Sequence, residues 1–181
     1  MVKSRRKARE AALRALYQME IAKLSAKDAG LDMMAHSELD EELERYADGL
    51  VKSYAIHKKE IDERLSGLMR DWDYARIAAI DRNLLRMAAT ELLFEPDVPP
   101  AVTIDEAVEI AKRYGAAESP RFINGVLGNL LKDSAKADWR LKSSEAEEPA
   151  PEPEPEPEVE EIEPTQAEEL LKGSLWKIRS E

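Results

Sequence analysis

The run Pro149-Ala150-Pro151-Glu152-Pro153-Glu154-Pro155-Glu156-Pro157 confines any folded core to the residues that precede it. Proline removes backbone donors, like charges repel, and nothing apolar is present to be buried. The same composition holds from Glu145 to Pro164, with ten Glu and six Pro. Alternating Pro and Glu favours an extended polyproline II chain, so Pro149 to Pro164 would reach about 50 Å. Three parts are therefore expected: a folded domain over 1–144, a disordered Glu/Pro linker over 145–164, and a short amphipathic segment over 165–181. That last segment offers Leu170, Leu171, Leu175, Trp176 and Ile178, either as a docking peptide or as a frayed helix without a partner.

Charge divides the chain at the same place. Residues 145–181 carry 3 basic and 13 acidic side chains, and residues 1–144 carry 24 and 25, so the net charge of -11 belongs almost wholly to the tail. Within the near-neutral body, positions 1–14 hold six basic residues and one acidic. Such a cluster points to an acidic partner. Glu10 and Arg14 interrupt what would have to be the apolar core of a signal peptide, and no run approaches membrane-spanning length. The expectation is a cytoplasmic protein that does not enter a membrane.

The body reads as helices only. Ala8, Ala11, Ala12, Ala15, Leu16, Met19 and Ala22 form a stripe at helical spacing, in a helix capped by Ser4 and running to about Lys23. Leu13, Tyr17, Ile21 and Leu24 lie outside that stripe, so this helix is expected to face two different surroundings. Ser37, with Asp40 three residues on, predicts the start of a second helix reaching Tyr54. A third holds Ile61, Leu65 and Leu68. Tyr74 to Phe94 predicts two helices broken near Asp81. Thr103 and Glu106 form a capping-box pattern, and Gly115 is a natural helix stop. Ser119-Pro120 then places a cap and an N1 proline before a last helix to about Lys132, in which Gly125 and Gly128 would let another helix approach. No segment alternates as a strand does. The predicted fold is all-α, a compact bundle of about seven helices.

Templates for catalysis are missing. The sequence has no GxxxxGK[ST], GxGxxG, GxSxG or HExxH pattern, and it has no cysteine to serve as nucleophile or metal ligand. Two histidines leave little for a metal site, so no cofactor and no catalysis are expected. Two constellations suit nucleic acid instead. Lys3, Arg5, Arg6, Lys7 and Arg9 place guanidinium and ammonium groups along one helix start, with Tyr17 on the face shared by Arg6 and Leu13. At the second, Arg121 adds positive charge to a helix start, and Phe122 offers a core anchor or a stacking platform.

These patterns occur with Ile80-Asp81-Arg82-Asn83-Leu84-Leu85-Arg86-Met87-Ala88, Asp97-Val98-Pro99-Pro100, Ile104-Asp105-Glu106-Ala107-Val108-Glu109-Ile110-Ala111-Lys112 and Ser119-Pro120-Arg121-Phe122-Ile123-Asn124-Gly125-Val126-Leu127. Together with the opening Arg5-Arg6-Lys7-Ala8-Arg9-Glu10, their order over residues 4–132 resembles the NusB family of transcription antitermination factors. The resemblance implies an all-helical domain of two three-helix-like halves that binds boxA RNA of ribosomal RNA transcripts, pairs with the ribosomal protein NusE and acts in an RNA polymerase antitermination complex. Carried over by motif position, Arg5, Arg6, Lys7 and Arg9 would meet phosphate, with Lys3 beside them in the basic run as a further RNA-binding candidate, and Tyr17, Arg121 and Phe122 would lie on or beside the RNA surface. Asp81 would face the protein partner. Monomer and homodimer both stay open. NusB-like domains also front some RNA cytosine methyltransferases, but those need a cysteine that this chain lacks. The competing reading is a protein–protein adaptor domain without specific RNA binding.

Overall fold

The structure, a computed structural model, describes residues 5–69 and 74–139. The chain divides into two units, 1–144 and 145–181, and only the first contains described residues. The Ser4 cap, Lys3 and everything after Trp139 therefore lie outside the described residues.

Helix α1 (Arg5–Ile21) forms where the alanine stripe predicts it, with Ala8, Ala12 and Ala15 fully buried. It stops because Lys23 takes a left-handed backbone (φ 57°), a conformation that ends helices even when the residue is not glycine. A helix absent from the sequence reading follows. Ser25 caps α2 (Ala26–His36), its Oγ accepting the Asp28 N–H at 3.1 Å. Only Ala29, Gly30 and Met33 of α2 are buried while Leu31 and Met34 are exposed, so its apolar pattern is weak. Asp40 rather than Ser37 caps the next helix, accepting the Leu43 N–H at 3.0 Å. The two helices predicted beyond it are one, α3 (Glu41–Leu68), with 28 residues and a length of about 42 Å.

The expected break near Asp81 lies earlier. A 3-10 turn (Tyr74–Arg76) precedes α4 (Ala79–Phe94), and Arg82 donates from Nη1 to the Tyr74 and Ile77 carbonyls at 3.2 and 2.7 Å, satisfying the chain where it changes direction. Helix α5 (Pro100–Tyr114) starts at a proline, so Thr103 is already inside its first turn and buried. Thr103 and Glu106 thus make no capping box. Gly115 ends α5 as predicted, its N–H reaching the Ala111 carbonyl at 2.8 Å; a Cβ there would stand 2.6 Å from Ser119. In α6 (Ser119–Lys132) the cap expectation is also revised. Ser119 Oγ accepts the Ala116 N–H at 2.9 Å and donates to Asp81 at 2.8 Å, and Glu118 occupies the cap position. Gly125 and Gly128 face open space, since a Cβ on either meets nothing within 4 Å.

Among the described residues all regular structure is helical: six α-helices and one 3-10 turn. Helices α1 to α3 pack on one another as one half and α4 to α6 as the other, and α4 joins them by touching α1 and α3. Eleven consecutive or near-consecutive residues of α4, from Asp81 to Leu92, are buried, so this helix is wrapped on all sides. No helix among the described residues is long and apolar enough to cross a membrane.

Candidate nucleic-acid interface

The basic start of α1 splits into side chains that face water and side chains that face the core. Arg5 and Lys7 are exposed, with the Arg5 guanidinium 5.2 Å from the centre of the Tyr46 ring. Arg6 is half-exposed but clamped, donating from Nε and Nη2 to the two oxygens of Glu106 at 2.7 and 2.9 Å. This bidentate bond raises the Arg6 pKa and holds the Glu106 carboxyl below its ordinary range.

Arg9 departs from the expectation that it meets phosphate. It is 2% exposed and donates from Nε to Glu91, which is 0% exposed, at 2.7 Å; Tyr46 donates to the same carboxylate. Burial alone would lower the Arg9 pKa, yet the Glu91 bond and charge more than offset it and the pKa rises. The physical reason lies in spacing. Arg9, Ala12, Leu13 and Leu16 share the helix face that packs inward, so a guanidinium there must bring its own counter-charge.

Tyr17 is 39% exposed, near the far end of α1. Arg121 is exposed and Phe122 is half-buried against the core. The start of α4 links these places. Ile80 lines a depression together with Tyr17, and the next residue, Asp81, accepts from Ser119, two positions before Arg121. Asp81, expected to face a protein partner, is 8% exposed and ties α4 to α6 through one carboxylate oxygen, Oδ2.

Several residues that shape this region were not singled out from sequence: Glu106 and Glu91 as counter-charges, Tyr46 beneath two arginines, and Glu20. Glu20 Oε1 accepts from Arg82, and Oε2 accepts from Asn83 at 2.6 Å and Arg86 at 2.7 Å; Arg86 also holds Asp62 at 2.8 Å. These bonds depress the Glu20 pKa against its burial. A signal existed. Glu91 stands directly beside Leu92 and Leu93 in an apolar run, where a carboxylate needs a partner.

Comparison with known proteins matches residues 6–132 to the NusB family. The chain is 44% identical over 140 residues to the transcription antitermination protein NusB of Desulfitobacterium hafniense, covering 75% of this chain and 93% of that one. It is 39% identical over 137 residues to the NusB of Methylacidiphilum infernorum, covering 75% and 96%. Among solved structures, T. maritima NusB superposes with a TM-score of 0.69 at 36% identity, covering 76% of this chain and 97% of that one. A crystal structure of the antitermination factors NusB and NusE in complex with double-stranded RNA gives 0.67 at 25% identity, covering 74% and 99%.

Proposed function

The chain belongs to the NusB family, and on that premise we propose that it is an RNA-binding transcription antitermination factor acting with the ribosomal protein NusE. Its RNA target is a boxA-type element of ribosomal RNA transcripts, and its place of action is the RNA polymerase antitermination complex in the cytoplasm. The observation that carries this reading is the extent of the match, which runs from Arg6 to Lys132 and so takes in both helical halves and the basic start of α1. Arg5, Lys7 and Arg121 meet phosphate, with Lys3 in the same basic segment; Tyr17 and Phe122 lie against bases. Arg6 contributes once an RNA phosphate competes for it with Glu106. Arg9 acts indirectly by anchoring α1, and Asp81 by anchoring α6. No catalytic step belongs to this function, in keeping with a chain that has no thiol nucleophile.

Filter binding of a boxA-like RNA at two salt concentrations tests the proposal. Specific binding that falls steeply with salt is expected, because cation–phosphate contacts release counterions. Absence of RNA binding with NusE binding retained would establish the adaptor reading instead.

A further inference from the structure

The last turn of α1 and the residues just after it border a cavity against α3 and α4, at the opposite end of α1 from its basic start. Leu16, Met19 and Leu24 form the apolar side, and Glu20, Lys23, Tyr54, Lys58 and Arg86 the polar side. Its volume of about 340 Å³ falls at the small end of the roughly 300–1,000 Å³ range of ligand pockets. The charges in the wall cancel. Arg86 donates from Nη1 to Glu20 at 2.7 Å and from Nε and Nη2 to Asp62 at 2.8 and 3.1 Å, and Arg82 also donates to Glu20, so two guanidiniums meet two carboxylates. Lys23 and Lys58 are left over: both are exposed, and neither pairs with a carboxylate among the described residues. Lys23 is also the one described residue with a left-handed backbone, φ 57°. Glycine is the residue that conformation favours at a helix end, so a lysine there accepts strain and sets an ammonium at the cavity mouth. Tyr54, 3% exposed, has a hydroxyl without a hydrogen-bond partner. Burial raises its pKa, so it stays protonated and able to donate.

We propose that this cavity binds the phosphate of a small phosphomonoester, with Lys23 and Lys58 as counter-charges, Tyr54 as a donor, and Leu16, Met19 and Leu24 against the organic part. The inference does not depend on RNA binding, since Arg5 stands about 24 Å away along α1. Charge selects the ligand class. A phosphomonoester carries about -1.5 to -2 at neutral pH, which matches two unpaired lysines, whereas a carboxylate or a nucleic-acid phosphodiester brings a single charge. The apolar side favours an ester over the bare ion, because only the ester has surface to cover it. A buried hydroxyl without a partner in the protein is satisfied by an acceptor oxygen from outside it.

The test uses the full chain and phenyl phosphate, titrated by calorimetry at constant ionic strength, with melting curves to check folding. Binding is expected, together with a rise in melting temperature, because a ligand held by the folded state alone stabilises it. Inorganic phosphate lacks the apolar part and benzoate the second charge, so each should bind more weakly. The double variant Lys23→Gly, Lys58→Met should melt close to the wild type, since glycine suits the left-handed backbone and both side chains are exposed, yet bind phenyl phosphate roughly tenfold more weakly. Tyr54→Phe removes a hydroxyl without a partner, so it should also melt like the wild type and bind several-fold more weakly. Lys58→Arg keeps the charge and should retain binding. The site is overturned if the wild type does not bind phenyl phosphate, or if the double variant or Tyr54→Phe binds it as the wild type does, which would move the anion to another place such as the start of α1. The double variant should keep its affinity for boxA-like RNA. A loss there, with the salt slope flattened by about two units, would give both lysines to an RNA backbone and overturn the phosphomonoester site.

Discussion

Arg5 and Arg9 are one turn apart on α1, and their substitution should have opposite consequences. Arg9→Ala leaves Glu91 buried without its cation, which costs about 3–5 kcal/mol and should shift the urea unfolding midpoint accordingly. Arg5→Ala removes only an exposed side chain over Tyr46, so unfolding should be unchanged while RNA affinity falls and the salt slope flattens by roughly one unit. A stable Arg9→Ala protein with weakened RNA binding would refute this division. Asp81 belongs with Arg9. Asp81→Lys places an ammonium where a carboxylate accepts from Ser119, and the melting temperature should drop sharply, with a loss of about 3 kcal/mol. Asp81→Asn keeps an acceptor for Ser119 and should cost less than about 1 kcal/mol. If Asp81→Lys melts like the wild type yet loses NusE, the residue faces a partner after all.

At the scale of elements, Glu20 joins α1 to α4 through Arg82, Asn83 and Arg86, and Arg86 passes the connection to Asp62 on α3. The sign of its pH effect follows from the depressed folded pKa. Glu20 contributes stability above its ordinary value of 4.5, and that contribution is lost as pH falls below it and through the folded value. Glu20→Gln should therefore melt lower than the wild type at neutral pH, with the gap closing on acidification. Melting curves from pH 7 downward would show it, and a gap that stays constant would mean that the carboxylate charge is irrelevant to the junction. Helix boundaries illustrate the same dependence on neighbours. Ser119 has the chemistry of a cap, but Asp81 and the Ala116 N–H claim its hydroxyl, and Thr103 loses its capping role because Pro100 starts α5 a turn earlier.

For the whole molecule, every buried residue described lies between Ala8 and Lys136, so removing residues 145–181 should leave the melting temperature unchanged. The low-salt affinity for boxA-like RNA should also stay the same, because a Glu/Pro tract is best solvated; a gain on truncation would show that the polyanion competes with RNA. Helical class, the Gly115 stop and the family itself were all legible in the sequence, since each follows from local composition, periodicity or motif order. Other features were decided only by tertiary structure. Ser37 and Asp40 are equally good caps until Glu44 takes the Ser37 hydroxyl at 2.6 Å and Asp40 takes the Leu43 N–H. Arg5, Arg6, Lys7 and Arg9 at one helix start look equivalent in a sequence, and they separate only when Glu106 and Glu91, about 80 to 100 positions away, fold against α1. Periodicity reports which side of a helix is apolar; which charges are neutralised and which stay available to a phosphate depends on what distant segments bring to that side.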